Sequence, residues 1–293
     1  MQVTNSPPDL NPSCGWHGTL QLVFARQREA TQLMHEYGKA PLKVQRPFYP
    51  EGSEVCHSAI LHTAGGIVGG DRLSLNLQLQ PDAHALVTTV AAAKVYRSNG
   101  LEAKQTIQVE IAPGACLEWL PLETIVFNQA TYRQEMRIEL APGASWLGWE
   151  MTRFGRSARG EQFVAGNWRS HTEVWQQGRP LWCDRQWVPG SKELFDSPHG
   201  LAGWPVVGSF AFVGRPVEPD LVEKARALWD SYSGKMTGET GATRLMSGFL
   251  CRYRGRSTME ARQWFIAIWH LVRTHDLHRP ACIPRVWQLE QRC

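Results

Sequence analysis

The chain repeats one pattern three times, as LSLNLQLQPDA (73–83), IQVEIAPGA (107–115) and MRIELAPGA (136–144). In each copy apolar and polar residues alternate, which is the period of a β-strand with one buried face. Each run then ends in a proline, followed by Asp or Gly, an alanine and a second apolar run. The repetition predicts one strand–turn–strand unit per copy, with each unit burying its apolar face against its neighbours.

The prolines of the three copies, Pro81, Pro113 and Pro142, should mark equivalent turns. The strands before them are then expected to stack as neighbours in one sheet. A degenerate fourth copy is TEVWQQGRPLWCDR (172–185). Stacked units of this kind predict a mainly β fold, a helical β-sandwich or β-solenoid rather than a barrel.

Two helices are predicted in the C-terminal part of the chain. The segment 217–232 has an apolar face, with Asp220 in position to cap its first turn. The segment 257–276 has the strongest helical pattern, and Ser257 and Glu260 form a capping box at its start. Its tryptophans make this helix a candidate surface for a partner protein, the alternative being that they pack on the sheet.

The remaining segments complete the expected organisation. TRLMSGFLCRYRG (243–255) has the composition of a strand, and the basic run RYRGR (252–256) is typical of a solvated turn. Residues 1–15 are rich in proline and small polar residues and are expected to be a flexible tail. No linker composition divides the rest, so residues 16–293 are expected to form a single β-rich domain.

Composition limits the classes of protein to consider. The chain has 293 residues, 43% apolar and 20% charged, which excludes a disordered or fibrous chain. A net charge of +4 without a clustered basic face gives no support for nucleic-acid binding. The sequence shows neither a membrane-length apolar run nor a signal peptide, so a cytoplasmic location is expected. Its seven scattered cysteines, without a CxxC pair, argue against disulfides or a zinc knuckle.

The sequence lacks the common motifs of enzymes. GxxxxGK[ST], HExxH, GxSxG and a GxGxxG that opens a helix do not occur, so we predict no catalysis and no GTP hydrolysis. The glycine-rich stretch HTAGGIVGGDRL (62–73) instead joins two predicted strands and holds Gly65, Gly66, Gly69 and Gly70. Its backbone amides could form an anion nest. A tight crossing in which only glycine fits is the favoured interpretation.

His62 and Asp71 flank this glycine-rich stretch. Both side chains suit a divalent metal such as nickel or zinc. On an extended strand, Glu54, Cys56 and Ser58 would share the face of His62. Four ligand-type side chains on one face suggest a metal site, whereas a solvated sheet face is the alternative.

Several sequence blocks, in order, give the chain a specific resemblance. They are YPEGSEVCHSAILHTAGGIVGGD (49–71), TTVAAAKVYRS (88–98), LEWLPLETIVF (117–127), GWEMTRFGRSARGEQF (148–163), GATRLMSGFLCRYRG (241–255), IW (268–269) and RVW (285–287). On these blocks the chain resembles the family of the urease accessory protein UreD, also called UreH. A single GGxVGGD motif would be weak evidence, whereas blocks in register along most of the chain are specific.

The resemblance implies a non-enzymatic scaffold. Members of this family join the partner UreF and the GTPase UreG on apo-urease, and the complex helps nickel to enter the buried active site. Nickel would be held transiently, with no tightly bound cofactor. The family's fold is a β-rich arrangement of stacked strands with a few helices, which agrees with the repeat.

A path for nickel needs walls of polar and carboxylate side chains rather than a closed set of ligands. The motif blocks supply Asp71, Glu150 and Glu161 for such walls, with His62 as a transient ligand. The structural alternative is that Asp71 caps the glycine turn and the glutamates pair with nearby arginines. The alternative function is a carbohydrate-binding or carbohydrate-cleaving β-solenoid that uses carboxylates such as Asp71 and Glu150.

Overall fold

Two β-sheets form most of the structure, a computed structural model that describes residues 15–232 and 236–287. In chain order the strands are β1 (His17–Gln27), β2 (Ala30–Lys39), β3 (Leu42–Val44), β4 (Val55–His62), β5 (Arg72–Leu79), β6 (His84–Thr89), β7 (Ala93–Val95), β8 (Ala103–Ile111), β9 (Cys116–Leu120), β10 (Thr124–Val126), β11 (Thr131–Leu140), β12 (Ser145–Phe154), β13 (Asn167–Gln176), β14 (Arg179–Pro189), β15 (Val206–Val213), β16 (Glu239–Leu245) and β17 (Gly248–Gly255). The α-helices in these ranges are α1 (Lys192–Asp196), α2 (Pro219–Asp230) and α3 (Thr258–Asp276). The expected tail 1–15 lies outside the described residues, apart from Gly15.

The chain alternates between the two sheets as it advances. Sheet A has the strand order β14-β13-β11-β8-β5-β1-β2, and sheet B has the order β16-β17-β15-β12-β9-β6-β4-β3, with β7 and β10 at its margin. From β4 to β13 each turn of the chain places one long strand in each sheet, so neighbouring strands of this region are parallel. The mainly β, solenoid-like fold confirms the prediction from the repeat.

The three proline turns are equivalent, as the repeat predicts. β5, β8 and β11 are parallel neighbours in sheet A, with their apolar positions in register. In each turn the residue after proline has a positive φ, 59° at Asp82, 72° at Gly114 and 78° at Gly143. The alanine that follows donates its backbone N–H to the carbonyl three residues earlier. This is the geometry of a turn with proline first and Gly or Asp second.

The predicted fourth copy ends the stack instead of extending it. β13 lies parallel to β11, so the first half of this copy continues the repeat. The chain then turns at Gln177 and Gly178, both with positive φ, and returns antiparallel as β14. Within the described residues β14 is therefore an edge strand that pairs with β13 alone.

The C-terminal part differs from the sequence prediction at three points. The predicted strand 243–255 is a hairpin formed by β16 and β17. The basic run 252–256 is not a solvated turn, because most of it lies in β17, which pairs on both sides. Asp220 lies inside the first turn of α2 and pairs with Lys224 at 2.6 Å, so its predicted role as the cap is wrong.

Two apolar cores hold the layers together. One lies between the two sheets, and the other lies between sheet B and the helices α2 and α3. Helix α3 begins as predicted, with the hydroxyl of Ser257 accepting the backbone N–H of Glu260. Trp264 and Trp269 of α3 are fully buried, so the alternative that they pack on the sheet is confirmed. No described helix is long and apolar enough to cross a membrane.

Candidate functional site

The glycine-rich stretch is a close crossing between β4 and β5. A Cβ atom added to Gly66 would lie 2.2 Å from the ring of Tyr96. A Cβ atom added to Gly69 would lie 2.6 Å from the side-chain oxygen of Asn99. Real side chains do not approach so closely, so only glycine fits at these two positions. The interpretation of this stretch as a tight crossing agrees with this geometry.

Asp71 stabilises the crossing through hydrogen bonds to two backbone N–H groups. Its carboxylate accepts the backbone N–H of Trp16 at 2.7 Å and that of Val68 at 2.9 Å. The side chain is fully buried, so these two bonds compensate for the water that it has lost. Asp71 therefore ties the start of β1 to the glycine-rich stretch, which is the structural alternative considered for this residue.

A cavity of about 480 Å³ lies between the two sheets. His62, the last residue of β4, and Glu150, in the middle of β12, both line it. Gly65 and Lys94 also line it and have exposed surface, so the cavity opens beside the glycine-rich stretch. The cavity thus brings together two of the four residues predicted for a nickel path.

Glu150 provides the carboxylate of this cavity. It accepts hydrogen bonds from the side-chain amide of Gln134 and from the hydroxyl of Ser170, the latter at 3.0 Å. Burial raises the pKa of Glu150 to about 7; the bond from Ser170 opposes this shift, and the charge of Asp184 adds to it. The Glu150 carboxyl group therefore changes between its protonated and ionised forms near neutral pH.

His62 provides an imidazole to the same cavity. Its Nε2 atom is buried and has no hydrogen-bond partner among the described residues. Burial lowers the pKa of the ring, although the charge of Asp71 opposes the shift. The ring is therefore neutral at physiological pH, and a neutral imidazole nitrogen is a good ligand for a divalent transition metal.

A row of polar side chains extends from the cavity through the apolar core, and we call it the polar row. On sheet A its members are in register on β8, β11, β13 and β14: Gln105, Gln134, Ser170 and Gln186. On sheet B its members are in register on β12, β15 and β17: Glu150, Ser209 and Arg252. The two sets face each other, because Ser170 bonds to Glu150 and Gln186 bonds to Ser209 at 3.3 Å.

An ion pair ends the polar row at the side of β14. Asp184 accepts hydrogen bonds from both terminal nitrogens of Arg252, at 2.7 and 2.9 Å. Arg252 also donates to the hydroxyl of Ser209 at 2.7 Å, and Gln186 donates to Asp184 at 2.9 Å. Asp184 is buried, whereas 42% of the Arg252 side chain is exposed. The ion pair therefore stands between the polar row and solvent.

Glu161 lies apart from the cavity lining. Its carboxylate pairs with Arg156 and accepts the backbone N–H of Asn128 at 3.0 Å. Burial opposes the charged form, but the bonds from Arg156 and Asn128 outweigh it and lower the pKa of Glu161. Glu161 thus holds the loop after β12 in place, again the structural alternative named from the sequence.

The described residues supply no closed metal site. The face of β4 that carries Cys56 and Ser58 is fully buried, so the alternative of a solvated sheet face is wrong there. No described group of three His, Cys, Asp or Glu side chains is placed to hold a metal ion. The cavity offers His62 and Glu150 together with amide and hydroxyl oxygens, which is an open arrangement.

Sequence reasoning missed most of the polar row. Gln105, Gln134 and Ser170 occupy inward positions of strands whose other inward residues are mostly apolar, and this interruption is a signal that the sequence carries. Asp184 and Arg252 gave no such signal, because strands distant in the sequence bring them together.

The fold and the cavity define a class of protein: a stacked-strand β protein with an open cavity between its sheets that contains a carboxylate and an imidazole. A profile of the UreD urease accessory protein family matches residues 17–288. A protein named urease accessory protein UreD from Nostoc punctiforme is 64% identical over 94% of this chain and 97% of its own length. Proteins of the same name from Acaryochloris marina and a Synechocystis species are 58% and 40% identical, over 99% and 89% of this chain and 100% and 96% of their own lengths. The chain belongs to the UreD family of urease accessory proteins, whose role lies in urease maturation.

Proposed function

We propose that this protein is a non-catalytic scaffold that joins UreF and the GTPase UreG on apo-urease and helps nickel to reach the urease active site. Membership of the UreD family supplies the setting, urease maturation. The observation that carries the proposal is the cavity, whose mainly apolar lining includes a carboxylate, Glu150, and an imidazole, His62. The alternative of carbohydrate chemistry with Asp71 and Glu150 is less well supported, since Asp71 is fully buried and lies outside the cavity, which therefore does not bring these two carboxylates together.

The cavity is better suited to bind a cation transiently than to bind it tightly. Tight binding of nickel needs three or four ligands in fixed geometry, and this cavity offers two ligand-type side chains. Hydrated nickel can exchange one of its water ligands for an oxygen of Glu150 or for the Nε2 atom of His62. The Nε2 atom has no hydrogen-bond partner among the described residues, so no existing bond has to break. Nickel is therefore transient cargo in this proposal, and no cofactor is tightly bound.

In this proposal Asp71 and Glu161 support the nickel path from outside the cavity lining, by holding nearby loops in place. Asp71 fixes the glycine-rich stretch beside the cavity mouth, and Glu161 fixes the loop that follows β12. Asp71→Ala or Glu161→Ala should leave the complex with UreF assembled but lower urease activation at limiting nickel. Loss of folding or of UreF binding in these variants would assign both carboxylates a structural role alone.

Urease activation in cells at limiting nickel tests the cavity. Glu150→Gln removes the charge but keeps the size of the side chain, and we expect activation to fall about tenfold, as about 1.4 kcal/mol of lost attraction would produce. Abundant nickel should reduce the difference. The matched control is Glu139→Gln, which removes a partly exposed carboxylate from β11, the strand that precedes β12 in the chain. Wild-type activation by a folded Glu150→Gln variant at limiting nickel would refute the nickel path.

Co-purification tests the scaffold. We expect the full chain to be a cytoplasmic protein that is poorly soluble alone and forms a stable complex with UreF. It should bind neither nucleic acid nor membranes, and it should hydrolyse no GTP without UreG. A soluble monomer that is indifferent to UreF would contradict the first expectation, and GTP turnover by the purified chain would contradict the last.

A further inference from the structure

We propose that Arg252 is a cation lock: its guanidinium occupies the place in the polar row that a divalent cation would take, and it must leave Asp184 before a cation can bind there. The inference rests on the proposed function for the identity of the cation, nickel. It extends that function from the cavity to the opposite end of the polar row, where Asp184 and Arg252 separate the row from solvent.

The guanidinium of Arg252 is surrounded by the kinds of oxygen atom that bind divalent cations. Both carboxylate oxygens of Asp184 and the hydroxyl oxygen of Ser209 lie 2.7–2.9 Å from its nitrogens. Glu150 follows along the row, because Ser209 is its register partner on β15. Carboxylate and hydroxyl oxygens are ordinary ligands of divalent cations, so displacement of Arg252 would leave a site for one.

The charges explain why this end of the row is closed at rest. Without a cation, Asp184 and Glu150 would be two carboxylates between the sheets, and uncompensated buried charges are strongly unfavourable. Arg252 neutralises Asp184 and at the same time places a positive charge where nickel would have to arrive. One side chain therefore both stabilises the empty row and opposes entry of a cation at this end.

Arg252 can leave its place without any change in the sheets. Its side chain is 42% exposed, so the guanidinium can swing on its flexible stem into solvent. Asp184 lies on the edge strand β14, which a partner protein can approach directly. An acidic group of apo-urease could then accept the guanidinium, so the row would stay closed in the complex with UreF alone and open only when apo-urease is bound.

Equilibrium dialysis against Ni²⁺ tests the lock, with the full chain, tag-free, in its complex with UreF or alone if soluble. Arg252→Met removes the charge and keeps the stem, and we expect nickel to bind about tenfold or more tightly than to the wild type. Arg185→Met is the matched control, because Arg185 adjoins Asp184 on β14 but its side chain is 74% exposed. The control should bind nickel as the wild type does, and Arg252→Met combined with Asp184→Asn should lose the gain.

Unchanged nickel binding by Arg252→Met, in a chain that melts cooperatively, would overturn the lock and leave the ion pair as a link between the sheets. A gain that survives Asp184→Asn would overturn it as well. If Arg252→Met does not fold, Arg252→Lys gives the same test, since an ammonium group cannot bridge both oxygens of Asp184 and a smaller gain is expected. Unchanged binding by folded Arg252→Lys would then reject the lock.

These binding results are separate from the activation assay of the proposed function. Failure of Glu150→Gln to lower activation would remove the nickel path, whatever Arg252→Met binds. A lowered activation with Glu150→Gln, together with unchanged binding by Arg252→Met, would remove the lock alone.

Discussion

Glu150 lies between two sheets with two neutral hydrogen-bond donors, Gln134 and Ser170. The positive charge further along the row belongs to Arg252, which is bonded to Asp184 instead. Burial is the main reason that the pKa of Glu150 is raised to about 7. The ionised carboxylate is therefore less favourable in the folded chain than in the unfolded chain. A group retained at such a disadvantage is characteristic of functional sites.

Glu150→Gln should stabilise the protein while it impairs activation. The rise in pKa from 4.5 to about 7 corresponds to about 3 kcal/mol. Because the folded-state pKa is raised, the disadvantage of the wild type is absent below pH 4.5, grows up to about pH 7 and is complete above it. Urea denaturation at pH 4.5 and pH 8 measures the difference in the free energy of unfolding.

The control for this comparison is Glu139→Gln, whose free energy of unfolding should follow that of the wild type at both pH values. The interpretation is that Glu150 lowers the free energy of unfolding and is present for its function. A Glu150→Gln variant that is less stable than the wild type at pH 8 would contradict it.

At the residue scale the sequence could predict His62 and Glu150 only as members of motif blocks. Their meeting in one cavity depends on β4 and β12, which are far apart in the chain. The sequence predicts Arg252 in a solvated turn, because its neighbours in 252–256 are mostly charged or glycine. Period-two alternation along β17 places it on the face opposite the buried Phe249 and Cys251, and only the pairing of β17 with β15 shows that this face also lies between the sheets.

At the scale of elements, the proline turns depend on a backbone conformation that suits glycine. Gly143 has a φ of 78°, and an added Cβ atom would have its nearest neighbour at 3.9 Å, so steric crowding is minor there. Gly143→Ala should therefore lower the free energy of unfolding by about 1 kcal/mol through backbone strain alone. Thermal or urea denaturation measures this loss.

Two further variants separate strain from crowding in these turns. Gly114→Ala should cost more than Gly143→Ala, because its Cβ atom would lie 2.1 Å from the carboxylate of Asp82. Gly143→Asn should cost less, since asparagine tolerates positive φ. Equal stability of Gly143→Ala and the wild type would show that the turn does not constrain the fold.

Helix α3 is attached to sheet B through a buried carboxylate, Glu118 of β9. Glu118 accepts hydrogen bonds from His84 at 2.6 Å and from the indole of Trp269, and Arg273 lies 3.5 Å away. Burial opposes its charge, but His84, Arg273 and Trp269 outweigh burial and lower the pKa of Glu118. The ionised carboxylate is therefore favoured in the folded chain.

Glu118→Gln should lower the free energy of unfolding by about 3 kcal/mol at pH 7, because His84 would lose its buried counter-charge and Arg273 would keep only Glu51. Since the folded-state pKa is lowered, this contribution is present above pH 4.5 and is lost as the pH falls towards the lowered value. Denaturation at pH 7 and pH 3.5 should therefore show a smaller difference in acid. Glu110→Gln, on the exposed face of β8, is the control and should change little. A loss that is equal at both pH values would contradict the charge argument.

At the scale of the whole molecule, the sequence could predict the stacked parallel region but not how it ends. The alternation and the proline turns recur in each copy, so their stacking follows from local chemistry. The antiparallel strands β14, β15 and β17 carry no such repeat, and their positions follow from pairing with the last parallel strands. The polar row crosses that boundary, which is why the sequence did not reveal it.

The central claim is that nickel passes through the cavity between the sheets, and reversible blockage of that cavity tests it most directly. Ala92 lines the cavity near its mouth, so Ala92→Cys provides a thiol for a bulky disulfide-forming reagent. The variant is modified and freed of reagent before it is mixed with UreF, UreG, apo-urease and nickel. The wild type, treated identically, controls for modification of its own cysteines, of which Cys183 is exposed.

We expect modified Ala92→Cys to activate urease far less than the unmodified variant, and we expect activity to return when the adduct is removed by a reductant before mixing. The treated wild type should activate urease normally. Full activation by a completely modified Ala92→Cys chain, with modification verified by mass spectrometry, would contradict passage of nickel through the cavity.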